Sequence, residues 1–253
     1  MLKLIIASIV FIAPFCSVAA EEIDLSGSEY SVYSRSGEDG IFSKIFHLIP
    51  PSSFFCVELG SGDGCYDSPT YLLRLQEWNA LLLDRTYENP GEHLFKEFIT
   101  AQAVNEILQK YAIPDDLDLL CIDTGYNDYY LWKALSDHYL PKVVMIRYNP
   151  SHLPDVDKIV KYRPYFGGDH TSYYGASILA LQKLGNSKGY TLVYAERSGT
   201  YLFFIRDAIL EEKNLKFKNS NDVDKLYPFV NGKGAPLNDD PKLRVFISSG
   251  DLE

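Results

Sequence analysis

The sequence has 253 residues, of which 46% are hydrophobic and 14% aromatic, so it is long enough to bury the core of one globular domain. Its formal net charge is −10. A surface with this excess of acidic groups repels phosphate backbones, which argues against a nucleic-acid partner.

The first twenty residues are typical of a secretory signal peptide. Lys3 supplies a positive charge, residues 4–15 are mostly apolar, and Val18-Ala19-Ala20 offers the small residues that a signal peptidase reads. The apolar stretch is shorter than the roughly 20 residues of a membrane span, and no later run is longer. The sequence therefore predicts cleavage after residue 20 and export to the periplasm or the medium, with an uncleaved anchor as the alternative. No stable membrane span is expected in the mature chain.

Three cysteines remain in the mature chain: Cys56, Cys65 and Cys121. None belongs to a CxxC pair and no histidine cluster lies near them, so no metal site is predicted. Two of them lie inside apolar strands, where cysteine acts as a small hydrophobic residue. We expect all three to be core or near-core thiols, and a single disulfide stays open.

Apolar spacing and turn residues predict the elements in chain order. A helix is expected from Ser36 to the Pro50-Pro51 pair, then a strand over 54–59, a glycine loop, and a helix with Ser68 as its N-cap. Later strands are expected over 79–84, 93–100, 117–123, 142–148, 190–195 and 201–205, and later helices over 104–111, 128–139 and 175–184. No proper helix fits the segment RTYENPGE between the second and third strands.

This alternation of helices and continuous apolar strands predicts an α/β fold with a mostly parallel sheet covered on both faces. The last two strands are joined by a short turn at Ser198-Gly199, so they must be antiparallel. The expected architecture is a Rossmann-like sheet of seven strands that ends in an antiparallel hairpin. We expect one domain over residues 21–253, with its core at about 34–210 and a polar C-terminal extension over 211–253.

A glycine loop, VELGSGDG, follows the first strand. Gly60, Gly62 and Gly64 stand at the carboxyl end of that strand, where open α/β sheets bind ligands and where bare backbone can approach a ligand closely. The spacing is G-x-G-x-G, and the flanking acids Glu58 and Asp63 are unfavourable for a pyrophosphate. The loop therefore indicates a cationic, phosphate-free cofactor rather than NAD.

We expect two acids to end neighbouring strands on the same side of the sheet. Asp84 ends the second strand, where a carboxylate can accept both hydroxyls of a ribose. Asp123 ends the fourth strand. Each acid alone could simply cap the loop that follows it, but their shared position favours a cofactor site.

These motifs resemble the class I S-adenosylmethionine-dependent methyltransferases, which have seven strands with a closing antiparallel hairpin. The stretches SRSGEDGIFSKIF, DLDLLCIDTGYNDYYLWKAL, VVMIRYNP and YGASILALQKLGNSKGYTLVY resemble the FkbM-type methyltransferases in particular, over about residues 34–210. The resemblance implies S-adenosylmethionine as cofactor and methyl transfer to an oxygen of a sugar, a polyketide or a similar acceptor. By motif match, the cofactor-binding residues are Glu58, Gly60, Gly62 and Gly64 at the methionine end and Asp84 at the ribose.

Three departures from the FkbM pattern change charges at the expected site. Arg35 replaces the glutamine of SQxGED, Gly125 stands where IDIDGNDY has an acid, and Arg147 replaces the glutamate of IEYN. The helix between the second and third strands, which normally walls the adenine pocket, is also missing. These changes predict weaker cofactor binding and the loss of the acceptor's general base.

Two functions remain open from the sequence. An O-methyltransferase would place Asp123 near the reacting centre and Asn127 and Asp128 on the acceptor side, although these two could also cap the next helix. His152 and His170, in the long loop after the fifth strand, could face the substrate or be solvated.

The competing function is a secreted, non-catalytic protein on a methyltransferase-like scaffold. Such a protein would bind a glycan, a peptide or a protein partner through tyrosine-rich loops such as RPYFGGDHTSYYG. A third reading combines the two: an enzyme delivered to a cofactor-rich compartment, for example the cytosol of another cell.

Overall fold

A single mixed sheet organises the chain. The computed structural model describes residues 22–229 and 240–252, so the predicted signal peptide lies outside the described residues. The strands are β1 (Phe55–Leu59), β2 (Asn79–Asp84), β3 (Leu94–Lys96), β4 (Leu119–Ile122), β5 (Val143–Arg147), β6 (Tyr190–Ala195) and β7 (Tyr201–Arg206). They lie in the order β3-β2-β1-β4-β5-β7-β6.

The first five strands are parallel, and β7 runs antiparallel to both β5 and β6. This confirms the predicted seven-stranded, mostly parallel sheet with a C-terminal antiparallel hairpin. Strand order reverses between β1 and β4, since the chain first builds outward from β1 towards β3 and then restarts on the other side. In open α/β sheets, such a switch point opens a crevice at the carboxyl ends of the strands.

Seven α-helices accompany the sheet in the described residues. They are α1 (Glu38–Leu48), α2 (Tyr71–Leu75), α3 (Val104–Lys110), α4 (Asp128–Ala134), α5 (Ile178–Ser187), α6 (Asp207–Glu212) and α7 (Val223–Leu226). Between β2 and β3 the chain makes only a 3-10 turn, Pro90–Glu92, so the missing helix is confirmed.

Two helix starts differ from those predicted. Helix α5 begins later than predicted because the Ser177 hydroxyl accepts the Ala180 N–H (3.2 Å) and caps it. The predicted N-cap Ser68 is wrong: α2 begins at Tyr71, and the Ser68 hydroxyl donates to Glu58 instead (2.8 Å).

Side chains alternate along each strand, so every strand contributes to both faces of the sheet. Both faces are buried, because an apolar cluster covers each of them. Val57 and Leu59 pack on the face covered by α3, α4 and α5, around the fully buried Trp132. Cys56 and Met145 pack on the opposite face, which α1 covers. Each large apolar side chain removed from water in this way contributes about 1.5–3 kcal/mol.

The three cysteines are free thiols. Cys56 and Cys121 are buried as predicted, and burial raises the pKa of the Cys56 thiol to about 12. Cys65 is exposed, so the prediction of a near-core position is wrong for this residue. The Asp63 carboxylate accepts the N–H groups of Cys65 (2.9 Å) and Tyr66 (2.8 Å) and folds this segment into a surface turn.

Part of the polar C-terminal extension packs back onto the domain. Residues 240–252, here called the C-terminal strap, lie against the long loop after β5 (residues 149–175). Ile247 and Ile159 exchange backbone hydrogen bonds (2.8 and 2.9 Å), and Phe246 packs on Tyr173 with ring centroids 4.7 Å apart. No helix in the described part of the chain is long and apolar enough to cross a bilayer.

Candidate functional site

Two adjoining cavities open at the carboxyl ends of the central strands. The large cavity, about 380 Å³, lies over β2, β4 and β5, and the long loop forms part of its wall. The small cavity, about 170 Å³, lies over β1 beside the start of α2. Gly60, Gly62 and Asp123 line both cavities, so the glycine loop forms their common wall. The larger volume is that of a small-molecule site.

The three glycines of the loop have different surroundings. At Gly60 (φ +91°), a Cβ would overlap the carbonyl oxygen of Asp123, so this glycine lets the β1 and β4 ends approach each other. At Gly62 (φ +58°), no atom lies within 4 Å of a Cβ position, so bare backbone faces the cavities. Gly64 lines neither cavity and packs against Leu82 (Cβ position to Cδ1, 2.9 Å).

Asp84 reaches the glycine loop and also closes its own turn. Its Oδ2 accepts the Gly62 N–H (3.1 Å), and its Oδ1 accepts the N–H groups of Thr86 (2.7 Å) and Tyr87 (3.1 Å). Asp84 lines the large cavity and is partly exposed. An ionised carboxylate has about four acceptor positions, so three bonds leave one for a ligand hydroxyl.

Glu58 lies beneath the loop. Its carboxylate is buried and accepts bonds from the Ser68 hydroxyl (2.8 Å), the Thr70 N–H (3.1 Å) and the Thr70 hydroxyl. Burial raises the pKa of Glu58. The residue lines the small cavity while it organises the start of α2.

Beside Glu58, the buried hydroxyl of Ser61 lines the same small cavity and has no hydrogen-bond partner among the described residues. Sequence reasoning did not single out this hydroxyl.

Asp123 is the centre of a charged cluster at the junction of the two cavities. Arg147 pairs with it (Nη1 to Oδ1, 3.1 Å), and the Tyr201 hydroxyl donates to its Oδ2 (2.7 Å). The charge of Asp123 raises the pKa of Arg147, and burial followed by Asp123 raises the pKa of Tyr201 well above its usual value. The guanidinium of Arg147 also lies over the Tyr174 ring (5.3 Å). Asp123 is therefore an acid with both a cation and a hydroxyl as partners, and the partner Tyr201 was not predicted.

Asn127 and Asp128 have structural partners. The Asn127 amide donates to the Arg163 carbonyl (2.8 Å) and accepts the Arg163 N–H (3.3 Å), which fixes the long loop as a wall of the large cavity. Asp128 is fully buried, lines neither cavity, and accepts the Thr124 N–H (2.6 Å) and hydroxyl (2.9 Å). Burial, and then repulsion from Asp123, raise the pKa of Asp128 to about 7.

Arg85 and four aromatic residues surround the mouth of the large cavity. The guanidinium of Arg85 lies against Gly167, where a Cβ would overlap it. We call Tyr87, Phe98, Tyr165 and Phe166 the aromatic rim. Three of these line the cavity, and Tyr165 packs against Phe98 with ring centroids 5.2 Å apart and ring planes inclined by 55°.

The two histidines of the long loop lie outside the cavities. His152 is buried against Phe246 (ring centroids 4.4 Å apart), and burial lowers its pKa to about 4. His170 is exposed. Across residues 22–229 and 240–252, no group of three or more His, Cys, Asp or Glu side chains is placed to hold a metal ion.

Comparison with known proteins gives no family assignment. No protein-family model and no curated protein matches the sequence. Among solved structures, the chain is similar to TnmH, with 13% identity and a TM-score of 0.35 over 60% of this chain and 49% of TnmH. It is also similar to the glycopeptide N-methyltransferase MtfA complexed with S-adenosylmethionine, with 12% identity and a TM-score of 0.33 over 72% of this chain and 95% of MtfA. The chain thus matches about half the length of TnmH, and similarity at this level transfers no residue role.

Proposed function

We propose that the protein binds S-adenosylmethionine and is an O-methyltransferase of divergent, FkbM-like type. The observation that carries this proposal is the pairing of Gly62 and Asp84 at the tip of β1. An open stretch of backbone and a carboxylate with a remaining acceptor position meet there, at the switch point of the sheet. The bound cofactor would supply a methyl group activated by its sulfonium. The resemblance implies a hydroxyl of a sugar or another small molecule as the acceptor.

The residues present fit such a cofactor. Asp84 would take the ribose, and Gly60 and Gly62 would let the nucleoside lie against the backbone. The small cavity would take the methionine end of the cofactor, which carries an ammonium and a carboxylate group. Arg35 and Asp67 line this cavity and form an ion pair (3.3 Å), so they offer one charged group of each sign. The unpartnered Ser61 hydroxyl adds a hydrogen-bonding group there.

A non-catalytic binding protein is the second candidate, and two observations favour it. Arg147 places a positive charge beside Asp123, where a cationic cofactor would profit from an unpaired acid. The absence of an α-helix between β2 and β3 further opens the adenine side. In this reading the cavities would serve a glycan, a peptide or a protein partner.

Isothermal titration of the mature chain, residues 21–253, with S-adenosylmethionine separates the two candidates. We expect binding with a stoichiometry near one. Absence of heat at millimolar cofactor would reject the enzyme and leave the binding protein.

We also propose that the chain is exported by a cleaved signal peptide, on the composition of residues 1–20. N-terminal sequencing of protein recovered from the medium or the periplasm should give Glu21 as its first residue. A full-length chain retained in the membrane fraction would support the anchor instead. A catalytic role then requires delivery to a compartment that contains the cofactor.

A further inference from the structure

The large cavity has no free general base. Its lining acids are Asp84, Glu97 and Asp123. Asp84 accepts three backbone N–H groups, and Asp123 is bound by Arg147 and Tyr201. None of the five histidines, all of which the structure describes, lines it.

The remaining acid is also engaged. Glu97 accepts bonds from Lys110 (2.5 Å) and the Tyr111 hydroxyl (2.8 Å). The hydrogen bond from Lys110 lowers the pKa of Glu97, which makes this carboxylate a weaker base. A neutral hydroxyl acceptor would therefore find no group to take its proton.

The same cavity holds two cations. Arg147 pairs through Nη1 with Asp123 and lines the cavity, so its positive charge lies beside a bound ligand. Arg85 forms no ion pair with any described residue and lies across the cavity mouth against Gly167. Guanidinium groups match carboxylate oxygens in geometry and charge. Three acids also line this cavity, but Arg85 has no acid partner among the described residues and so offers an uncompensated positive charge to an anion.

The aromatic rim indicates the body of the ligand. Phe98 and Phe166 line the cavity, and the Phe98–Tyr165 pair extends this apolar surface out to the solvent. Flat apolar groups pack well against such rings. A ligand with an anionic end at Arg147 and an aromatic body at the rim satisfies both features.

We propose that the methyl acceptor is a carboxylate carried on an aromatic or similarly flat apolar body, held by Arg147 and Arg85. This rests on the proposed function and replaces the hydroxyl that the resemblance implies. The acceptor oxygen supplies the electron pair of the new C–O bond, the methyl group leaves the sulfonium, and the sulfur keeps the electron pair of the broken C–S bond. The negative charge of the carboxylate and the positive charge of the sulfonium are both lost. No proton is released, so no base is needed. The neutral methyl ester loses its attraction to Arg147 and can leave.

Binding of simple probes tests the acceptor site without turnover. Benzoate and cinnamate, titrated into the cofactor-free mature chain, should bind at least tenfold more tightly than benzamide and cinnamamide. Equal affinities of each acid and its amide, or no binding of either acid at millimolar concentration, would overturn the proposal.

The Arg147→Gln variant should change the affinities for the carboxylate probe and for S-adenosylmethionine in different directions. Carboxylate affinity should fall tenfold or more, whereas S-adenosylmethionine affinity should stay or rise, because Asp123 loses its cation. A misfolded variant would lose both. The matched control is Arg197→Gln, on the β6–β7 turn outside both cavities, which should change neither affinity. An unchanged carboxylate affinity in Arg147→Gln would contradict the assignment.

The product identifies the acceptor oxygen independently. Cell extract incubated with the protein and methyl-tritiated S-adenosylmethionine should yield label that mild alkali releases as volatile methanol, because esters hydrolyse there. Alkali-stable label would mean an ether, an N-methyl group or another methyl group that is not an ester, and would overturn the carboxylate proposal while supporting the methyltransferase. Failure of the proposed function is seen separately, as absence of cofactor binding in the titration.

Discussion

At the scale of single residues, the carboxylate of Asp84 both closes a turn and faces the large cavity. The substitution Asp84→Asn keeps one oxygen for the turn but replaces the other with an NH₂ group, which cannot accept the Gly62 N–H. A hydrogen bond to a charged group is worth about 1.5–3 kcal/mol, so we expect S-adenosylmethionine affinity to fall tenfold or more. Titration calorimetry measures this, with Asp137→Asn at a highly exposed site as control. Equal affinity in Asp84→Asn and wild type would remove the ribose assignment.

Gly60 and Gly62 give a matched pair of substitutions with different outcomes. Gly60→Ala forces a Cβ into the Asp123 carbonyl and should unfold or severely destabilise the domain. Gly62→Ala has free space, so it should fold at a cost of about 1–2 kcal/mol for its positive φ, yet its methyl group stands in the cavity wall and should abolish cofactor binding. Urea denaturation and titration together check both. A Gly62→Ala variant that binds normally would place the ligand elsewhere.

Residue by residue, the sequence predicts those site positions that sit at strand tips. The sequence places four cavity-lining residues at strand ends, because ligands bind at the carboxyl ends of parallel strands: Gly60, Gly62, Asp84 and Asp123. Tyr201 is missed because it begins a strand rather than ends one. Since β7 is antiparallel to β5, its first residue lies at the carboxyl edge and pairs with Arg147. Because the first residue of a strand antiparallel to β5 lies at the carboxyl edge of the sheet, this geometry could have predicted Tyr201.

At the scale of elements, most strands are predicted well and the helices less so; the exception is β3, predicted over 93–100 but spanning only Leu94–Lys96. A continuous apolar run such as β5 has apolar side chains on both faces, so it is expected to be a strand of a sheet that is covered on both sides. Helix boundaries depend on contacts distant in sequence. Helix α4 ends at Ala134, short of the predicted residue 139, because Leu135 has extended dihedrals and the Ser136 N–H bonds to the Asn105 side chain (2.8 Å). Periodicity alone cannot detect such a partner.

The C-terminal strap, which the sequence shows only as a polar tail, supports the loop that walls the large cavity. Arg244 stacks on Tyr173 (4.4 Å) and bonds to Asp240 and Asp169. We expect Arg244→Ala to cost about 1–2 kcal/mol through lost packing and unpaired acids, and to speed amide exchange in residues 149–175. Exchange mass spectrometry measures this.

The control for the strap is Lys242→Ala. Lys242 also pairs with Asp169, but its side chain is largely exposed, so its loss should cost under about 0.5 kcal/mol. If both variants exchange like wild type, the strap does not hold the loop.

At the scale of the whole molecule, the site and the stability of the fold share a charge network. Asp123 joins Arg147 and Tyr201 in the cavity wall and also repels the buried Asp128 behind it. Together with burial, this keeps one carboxyl group protonated near neutral pH in the folded state. A fold that carries such a group should be sensitive to pH in a predictable direction.

The buried Asp128 has a folded pKa of about 7, while in the unfolded chain it titrates near 4. Between these values the native state binds a proton that the unfolded state has lost, so the contribution of this group to stability falls as pH rises from about 4 to 7. In Asp128→Asn the amide oxygen can still accept the Thr124 bonds without this cost. The free energy of unfolding of the variant should therefore gain on wild type by at most about 1.4 kcal/mol per pH unit up to pH 7 and then level off. Urea titrations from pH 5 to 8 measure the difference, and parallel pH profiles would show that Asp128 is ionised throughout.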